Sequence, residues 1–247
     1  MTRRAIVTGG GTGIGRAVAH RLAADGNTVV IVGRRPETLE FAAEKINAEI
    51  GSDQVAVAVA DLTDPDQVRA LAERLSADGD IDVLVTNAGG APRTTAEGLE
   101  GVTATFLDNF RMNVITAVLP TEALLPYLAR PGGRIISVSS IAALRGVGAY
   151  AASKAALHGW ALGLAHQLAP QGITVNVVAP GYIPDTEFWV DRWNQDAHDR
   201  RVAQIPIGRA GIPEDVAAGI AYLAAPDAGW TTGQILQING GTLFGRG

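Results

Sequence analysis

Strand and helix patterns alternate along the whole chain, and this alternation limits the fold more than any other feature. Seven short runs with strand character lie at 5–8, 28–32, 55–59, 83–86, 134–138, 174–178 and 235–238. Segments with an apolar period of 3.6 residues separate them, at about 13–25, 37–50, 65–78, 103–129, 150–169 and 213–225. Several strands are apolar almost throughout, as expected when helices cover both faces of a sheet. The pattern predicts an α/β Rossmann fold with a doubly wound, seven-stranded parallel sheet, forming one domain over 1–247.

Composition narrows the class of protein. The 247 residues are 47% hydrophobic, which is enough for one buried core. The net charge is −5 and the basic residues are scattered, so we expect no nucleic-acid surface. The absence of cysteine excludes disulfides and zinc-thiolate sites, and the four histidines show no metal-binding spacing. No apolar run approaches the ~20 residues of a membrane span, so we expect a cytoplasmic protein with no metal.

A glycine-rich turn joins the first strand to the first helix, in the run Thr8-Gly9-Gly10-Gly11-Thr12-Gly13-Ile14-Gly15. Glycines at such a turn let the backbone approach a pyrophosphate and let the helix pack closely on the strand. The helix N-terminus adds free N–H groups and partial positive charge. The alternative is a tight turn without a ligand. The candidate dinucleotide contacts here are Gly9, Thr12, Gly13, Ile14 and Gly15.

The end of the second strand predicts which nicotinamide cofactor is used. A carboxylate at this place would bind the ribose hydroxyls of NAD, but Gly33 stands there and Arg34 and Arg35 follow. Guanidinium groups match phosphate geometry, so we infer NADP(H), with Arg34 the main contact and Arg35 a second. The alternative is a pair of exposed loop arginines.

Tyr150 and Lys154 lie four residues apart at the start of an alanine-rich helical pattern. That spacing places a phenol and an ammonium on one helix face. A cation held near a phenol lowers its pKa and favours a group that exchanges a proton near neutral pH. A solvated helix face would show the same spacing.

Taken together, the glycine turn, the Asn87-Ala88-Gly89 turn after the fourth strand, and Tyr150-x-x-x-Lys154 resemble the short-chain dehydrogenase/reductase family. The resemblance covers nearly the whole chain. Within that family, the chain is similar to the 3-oxoacyl-acyl-carrier-protein reductases. It implies an NADP(H)-dependent carbonyl reductase, which transfers hydride between the nicotinamide and a ketone, a 3-oxoacyl group or a secondary alcohol. An NAD-dependent alcohol dehydrogenase acting oxidatively and a non-catalytic NADP-binding regulator are the alternatives.

The resemblance also implies roles for individual residues. Tyr150 would be the proton donor, Lys154 would grip the nicotinamide ribose, Ser140 would hold the substrate oxygen, and Asn113 would order a proton-relaying water. Asp61 resembles the acid that accepts from the adenine amine. The remaining cofactor contacts implied by position are Leu62, Asn87, Ala88, Gly89, Pro180, Gly181 and Ile183.

The chain departs from the family pattern in three places. The interval between Ser140 and Tyr150 is shorter than in the family, which would trim the rim of the substrate pocket. Asp185 stands where relatives place a threonine, so Thr186 is a doubtful cofactor contact. Arg130 fits docking of an acidic carrier protein, whereas Gln171 does not.

Residues 182–208 break the alternation and carry Phe188, Trp189 and Trp193. A long irregular segment in a compact domain is often functional, so we interpret 182–208 as a substrate lid. Its aromatic side chains favour an apolar or aromatic substrate, or else they form the lid's own core. By the family resemblance, the apolar faces of helices 103–129 and 150–169 would join subunits into a homotetramer or homodimer.

Overall fold

The strands of the computed structural model, which describes residues 2–92 and 97–245, form one parallel sheet. Its spatial order is β3-β2-β1-β4-β5-β6-β7. The strand bounds are β1 Arg4–Thr8, β2 Thr28–Gly33, β3 Val55–Val59, β4 Val83–Thr86, β5 Arg134–Val138, β6 Thr174–Pro180 and β7 Ile235–Ile238. The predicted seven-stranded parallel sheet of the Rossmann type is confirmed.

The helices connect these strands, as the sequence period predicted. In the described ranges their bounds are α1 Gly13–Ala24, α2 Pro36–Ile50, α3 Pro65–Ser76, α4 Gly98–Phe110, α5 Thr116–Leu124, α6 Ala142–Arg145, α7 Gly148–Leu168, α8 Gln195–Val202 and α9 Pro213–Ala224. Local chemistry sets several ends: Asp64 accepts from the backbone N–H of Asp66 and Gln67 at the start of α3. Gly51, with φ of 71°, ends α2 in the left-handed conformation.

The segment predicted as one helix over 103–129 is divided in the structure. A π-helical turn at Arg111–Ile115 separates α4 from α5, and a short 3₁₀ turn at Leu125–Tyr127 follows. The apolar period of the sequence did not show this turn. Such turns occur frequently at functional sites, and this one contains Asn113.

Two apolar layers cover the sheet, one on each face. Adjacent strand residues point to opposite layers: Val7 packs with α1, α2 and α9, whereas Ile6 packs with α3, α5 and α7. Leu84 and Val85 divide in the same way, and all four side chains are fully buried. Burial on both faces explains why these strands are apolar at almost every position.

The strand order reverses between β1 and β4, because β1 leads outward to β2 on one side while β4 leads to β5 on the other. In open α/β sheets, the crevice at the carboxyl ends of the strands at such a point is where ligands bind. Gly9 and Asn87 follow the two strands directly at this place. Within the described ranges, no helix has the length and apolarity needed to cross a bilayer.

Candidate active site

A cavity of about 810 Å³ opens at the carboxyl ends of β1 and β4. The segments that the sequence marked, although far apart in the chain, meet in its wall. The predicted residues that line it are Gly9, Thr12, Gly13, Ile14, Arg34, Arg35, Asp61, Leu62, Asn87, Ala88, Gly89, Ser140, Tyr150, Lys154, Pro180 and Ile183.

The glycine turn forms the floor of the cavity. Gly9 and Gly13 have φ of 65° and 50°, a region that side chains disfavour, and α1 begins at Gly13 with its N-terminus at the cavity. Gly15 lies behind the wall, where an added Cβ would approach the Gly9 carbonyl oxygen to 2.1 Å. The structure therefore places Gly15 at a close packing contact between helix and strand.

Asn87 ties the turn after β4 to the glycine turn. Its Nδ2 donates to the carbonyl oxygens of Thr8 at 3.0 Å and Gly9 at 3.2 Å. In return, Thr8 Oγ1 accepts from the backbone N–H of Asn87 at 2.9 Å and of Ala88 at 3.0 Å. These bonds hold the two sides of the crevice at a fixed separation.

Lys154 is buried in the cavity wall, with 5% of its surface exposed. Its Nζ donates to the Val138 carbonyl oxygen at 3.0 Å. Burial lowers the pKa of Lys154 from 10.5 to about 8, because a low-dielectric surrounding disfavours the ammonium. The Nζ also lies over Gly89, where a Cβ would approach it to 3.2 Å.

Asn113 lies in the π turn with 1% of its surface exposed, behind the residues that line the cavity. Its Oδ1 accepts from Gly90 N at 3.0 Å, and its Nδ2 donates to Gly90 O at 2.8 Å and Ser153 Oγ at 3.2 Å. Ser153 in turn donates to the Tyr150 carbonyl oxygen at 2.8 Å. Ser153 therefore connects Asn113 with Tyr150, a link that its place inside the Tyr-x-x-x-Lys spacing could have suggested.

The two serines after β5 differ in their surroundings. Ser139 is buried; its hydroxyl donates to the Lys154 carbonyl oxygen at 3.0 Å and lies 2.8 Å from His158 Nε2. Because the Ser139 hydrogen is used, the ring N–H of His158 is the donor to its oxygen. Ser140 Oγ accepts from Ala142 N at 3.1 Å, which leaves its own hydrogen for an acceptor in the cavity.

The segment 182–208 covers part of the cavity, and Phe188 packs on the Tyr150 ring with centroids 5.4 Å apart. Trp189 packs edge-on against Tyr182 at 5.0 Å, with the Arg201 guanidinium 4.8 Å from the Trp189 ring centre. Phe188 and Trp189 both line the cavity, and Trp189 also packs within the segment itself.

Charged groups gather on the side of the cavity that the ends of β2 and β3 form. Arg34 and Arg35 line the cavity after β2, and Arg111, which the sequence did not mark, lines it from the π turn. The Thr63 backbone N–H, more than the nearby charges of Arg34 and Arg111, holds the pKa of Asp61 below its usual value. Asp61 Oδ1 accepts from that N–H at 2.9 Å and from Thr63 Oγ1 at 2.8 Å.

Three further positions discussed from the sequence, Gly181, Thr186 and Arg130, contact other parts of the protein itself. Gly181 lies behind the wall, where a Cβ would approach Asn239 Cα to 2.7 Å. Thr186 does line the cavity, with its Cγ2 facing Gly13. Arg130 lies before β5, at the amino end of the strand, and its Nε donates to Gln171 Oε1 at 2.7 Å. Its other nitrogens donate to carbonyl oxygens of the preceding turn, so the guanidinium stabilises local structure there.

Among residues 2–92 and 97–245, no group of three or more His, Cys, Asp or Glu side chains is placed to hold a metal ion.

Comparison with known proteins gives matches over nearly the whole chain. The family described as enoyl-(acyl carrier protein) reductase matches residues 9–242. Nodulation protein G of Rhizobium sp. (strain N33) is 38% identical over 246 residues, covering 97% of this chain and 96% of its own length. The 3-oxoacyl-(acyl-carrier-protein) reductase FabG of Rickettsia conorii is 35% identical over 247 residues, covering 98% and 97%. The crystal structure of a phenylalanine-to-tryptophan variant of actinorhodin polyketide ketoreductase with NADPH has a TM-score of 0.85 at 31% identity, covering 98% and 97%.

Proposed function

We propose that this chain, which belongs to the short-chain dehydrogenase/reductase family, is an NADP(H)-dependent carbonyl reductase acting on a ketone or, in reverse, a secondary alcohol. The observation that carries the proposal is the buried Lys154 ammonium, one helical turn from Tyr150 in the wall of a dinucleotide-sized cavity. Burying a charge costs folding free energy, and such costs are typical of functional sites. FabG is named as a reductase and the actinorhodin enzyme as a ketoreductase, which supports the same reaction class.

The residues of the cavity fit a dinucleotide phosphate. The N-terminus of α1 and the backbone around Gly13 would hold the pyrophosphate, and Arg34 with Arg35 would hold the 2′-phosphate. Pro180 and Ile183 would border the nicotinamide end. When bound, the nicotinamide supplies the hydride, while the protein supplies placement and electrostatics.

The chain's own groups would handle the proton. The Tyr150 hydroxyl gives a proton to the carbonyl oxygen of the substrate, and the Ser140 hydroxyl donates a hydrogen bond to the same oxygen. The Lys154 ammonium favours the phenolate that remains. Asn113 holds this arrangement through its side-chain hydrogen bonds to Gly90 and Ser153.

Phe188 favours a substrate with an apolar or aromatic group next to the carbonyl, because its ring lies against Tyr150 at the mouth of the site. Docking of an acidic carrier gains less support. The Arg130 guanidinium is hydrogen-bonded to Gln171 and to backbone carbonyls at the amino end of β5, while the cavity lies at the carboxyl ends. We therefore expect free ketones to be better substrates than carrier-bound ones.

An oligomer is part of the proposal. Apolar side chains exposed along α4 and on α7 would be buried by a second subunit, which supports the homotetramer or homodimer implied by the family. They are Leu99, Val102, Phe106, Leu107, Phe110 and Leu162. Trp160, by contrast, packs against the core of its own chain.

An NAD-dependent alcohol dehydrogenase is the second candidate, because the Glu187 carboxylate pairs with Arg35, one of the two arginines proposed to bind the 2′-phosphate. Titration with NADPH and NADH, followed by turnover with a panel of apolar and aromatic ketones, tests both. The proposal predicts tighter NADPH binding and NADPH-dependent ketone reduction. Tighter NADH binding together with alcohol oxidation would favour the second candidate, and nucleotide binding without turnover would favour a regulator.

A further inference from the structure

An ion pair joins the nucleotide-binding strand to the segment that covers the cavity. Arg35 Nη2 lies 2.7 Å from Glu187 Oε2 and 3.0 Å from Oε1, although the two residues are 152 positions apart in the sequence. Both side chains are more than half exposed and both line the cavity. The guanidinium proposed to take the 2′-phosphate therefore already has an anionic partner.

The neighbours of Glu187 hold it at this position. Thr186 packs with its Cγ2 over Gly13 in the glycine turn, and Phe188 packs on the ring of Tyr150. Three consecutive residues thus touch the pyrophosphate turn, the strand end after β2 and the proposed catalytic phenol. An exposed ion pair is usually weak because two long side chains must be ordered to form it. Here the contacts of Thr186 and Phe188 order the backbone on one side of the pair, which reduces that cost.

We propose that Glu187 is a specificity-determining residue that opposes NADP(H) binding by competing with the 2′-phosphate for Arg35. This inference rests on the proposed function, since it assumes that Arg34 and Arg35 receive that phosphate. The phosphate must displace the carboxylate or share the guanidinium with it, and a carboxylate that stays nearby repels the phosphate. NAD(H) has no 2′-phosphate and escapes the competition. Glu187 therefore makes the preference for NADP(H) smaller than two arginines alone would give.

Replacing Glu187 by glutamine tests the inference through binding, without any need for turnover. The dissociation constants of NADPH and NADH are measured by titration of nucleotide fluorescence on the unliganded protein. From the free energy of an exposed ion pair, we expect NADPH to bind about threefold tighter to Glu187→Gln than to the wild type. The dissociation constant of NADH should stay the same. Asp25→Asn is the matched control, because it removes a carboxylate that pairs with Arg21 Nε at 2.9 and 3.1 Å on the outer side of α1.

A double-mutant cycle with Arg35→Met shows whether Glu187 acts through Arg35. If it does, Glu187→Gln should change NADPH affinity much less in the Arg35→Met background than in the wild type. An undiminished effect in that background would overturn the inference. An equal gain in affinity for NADPH and NADH in Glu187→Gln would also overturn it. So would an unchanged NADPH affinity in Glu187→Gln, if the wild type prefers NADPH and Arg35→Met weakens NADPH binding. A wild type that binds NADH more tightly than NADPH would instead contradict the proposed function, and the inference with it.

Discussion

Replacing Lys154 by methionine separates the cost of burying an ammonium from its use in the proposed reaction. The pKa of Lys154 lies at about 8 instead of 10.5, and each unit corresponds to about 1.4 kcal/mol. The buried charge therefore costs the unliganded protein about 3 kcal/mol of folding free energy. Methionine keeps an unbranched side chain of similar length without the charge. It leaves the Val138 carbonyl oxygen without its 3.0 Å donor, at a cost of about 1–2 kcal/mol.

The variant should consequently be more stable than the wild type by about 1–2 kcal/mol at neutral pH, while losing turnover. The folded-state pKa of Lys154 lies below the unfolded value, so the unfolded chain binds more protons between them. The cost is present in full below the folded pKa and disappears as the pH rises from about 8 to 10.5. The advantage of the variant should shrink over the same window.

Urea unfolding of the unliganded proteins at neutral pH and at about pH 9.5 measures this difference. Lys45, the chain's other lysine, provides the control, since it is half exposed and lies 3.9 Å from Glu49. Lys45→Met should change the free energy of unfolding by no more than about 0.5 kcal/mol at either pH. A Lys154→Met variant that is less stable than the wild type at neutral pH, or a difference that does not change with pH, would refute the reasoning.

Two further substitutions test the packing around the proposed catalytic groups. A Gly89→Ala side chain would lie 2.6 Å from Asn113 Oδ1 and 3.2 Å from Lys154 Nζ, so we expect kcat to fall about tenfold or more, as steady-state kinetics would show. An unchanged kcat would mean that these groups tolerate displacement. Ser139→Ala removes the hydroxyl between His158 and the Lys154 carbonyl oxygen, and denaturant titration should show a loss of about 1–3 kcal/mol. A loss close to zero would indicate that the two groups find other partners.

The sheet could be predicted from the sequence because its strands have a simple physical signature. Because helices cover both faces of the sheet, neighbouring strand residues on opposite faces, such as Ile6 and Val7 of β1, must both be apolar. A glycine turn follows the end of β1. The alternation of strands and helices also explains why the glycine turn, Asn87 and Tyr150 meet at one cavity, because the carboxyl ends of parallel strands share one edge of the sheet. The family resemblance drawn from these motifs is confirmed.

What the sequence could not show depends on contacts between distant residues or on small changes in helix geometry. The pairing of Arg35 with Glu187 needs the course of the segment 182–208, which no periodicity records. The π turn around Asn113 spans only five residues, which are too few for the apolar period to distinguish it from a regular helix. The sequence also gave no period for α6 and α8, because four and eight residues are too few turns to establish one.

The charged side of the cavity, where we propose that the 2′-phosphate binds, was only partly predictable. Arg34 and Arg35 were marked by the rule for the second strand, whereas Arg111 reaches the same region from the π turn between α4 and α5. Gly15 and Gly181 illustrate the reverse case. Both were expected to contact the cofactor. The close contact of Gly15 is the packing of helix on strand that the glycine turn also predicted, whereas the contact of Gly181 with Asn239 was not predicted.

The most direct test of the account is hydride transfer in Tyr150→Phe, measured in a single turnover with NADPH and a ketone that the wild type reduces. The phenyl ring keeps the packing against Phe188 and loses only the hydroxyl that would give the proton. The account predicts an NADPH dissociation constant close to that of the wild type and a rate lower by about 10²–10⁴. A variant that reduces the ketone at the wild-type rate would contradict the assignment of Tyr150 as the proton donor.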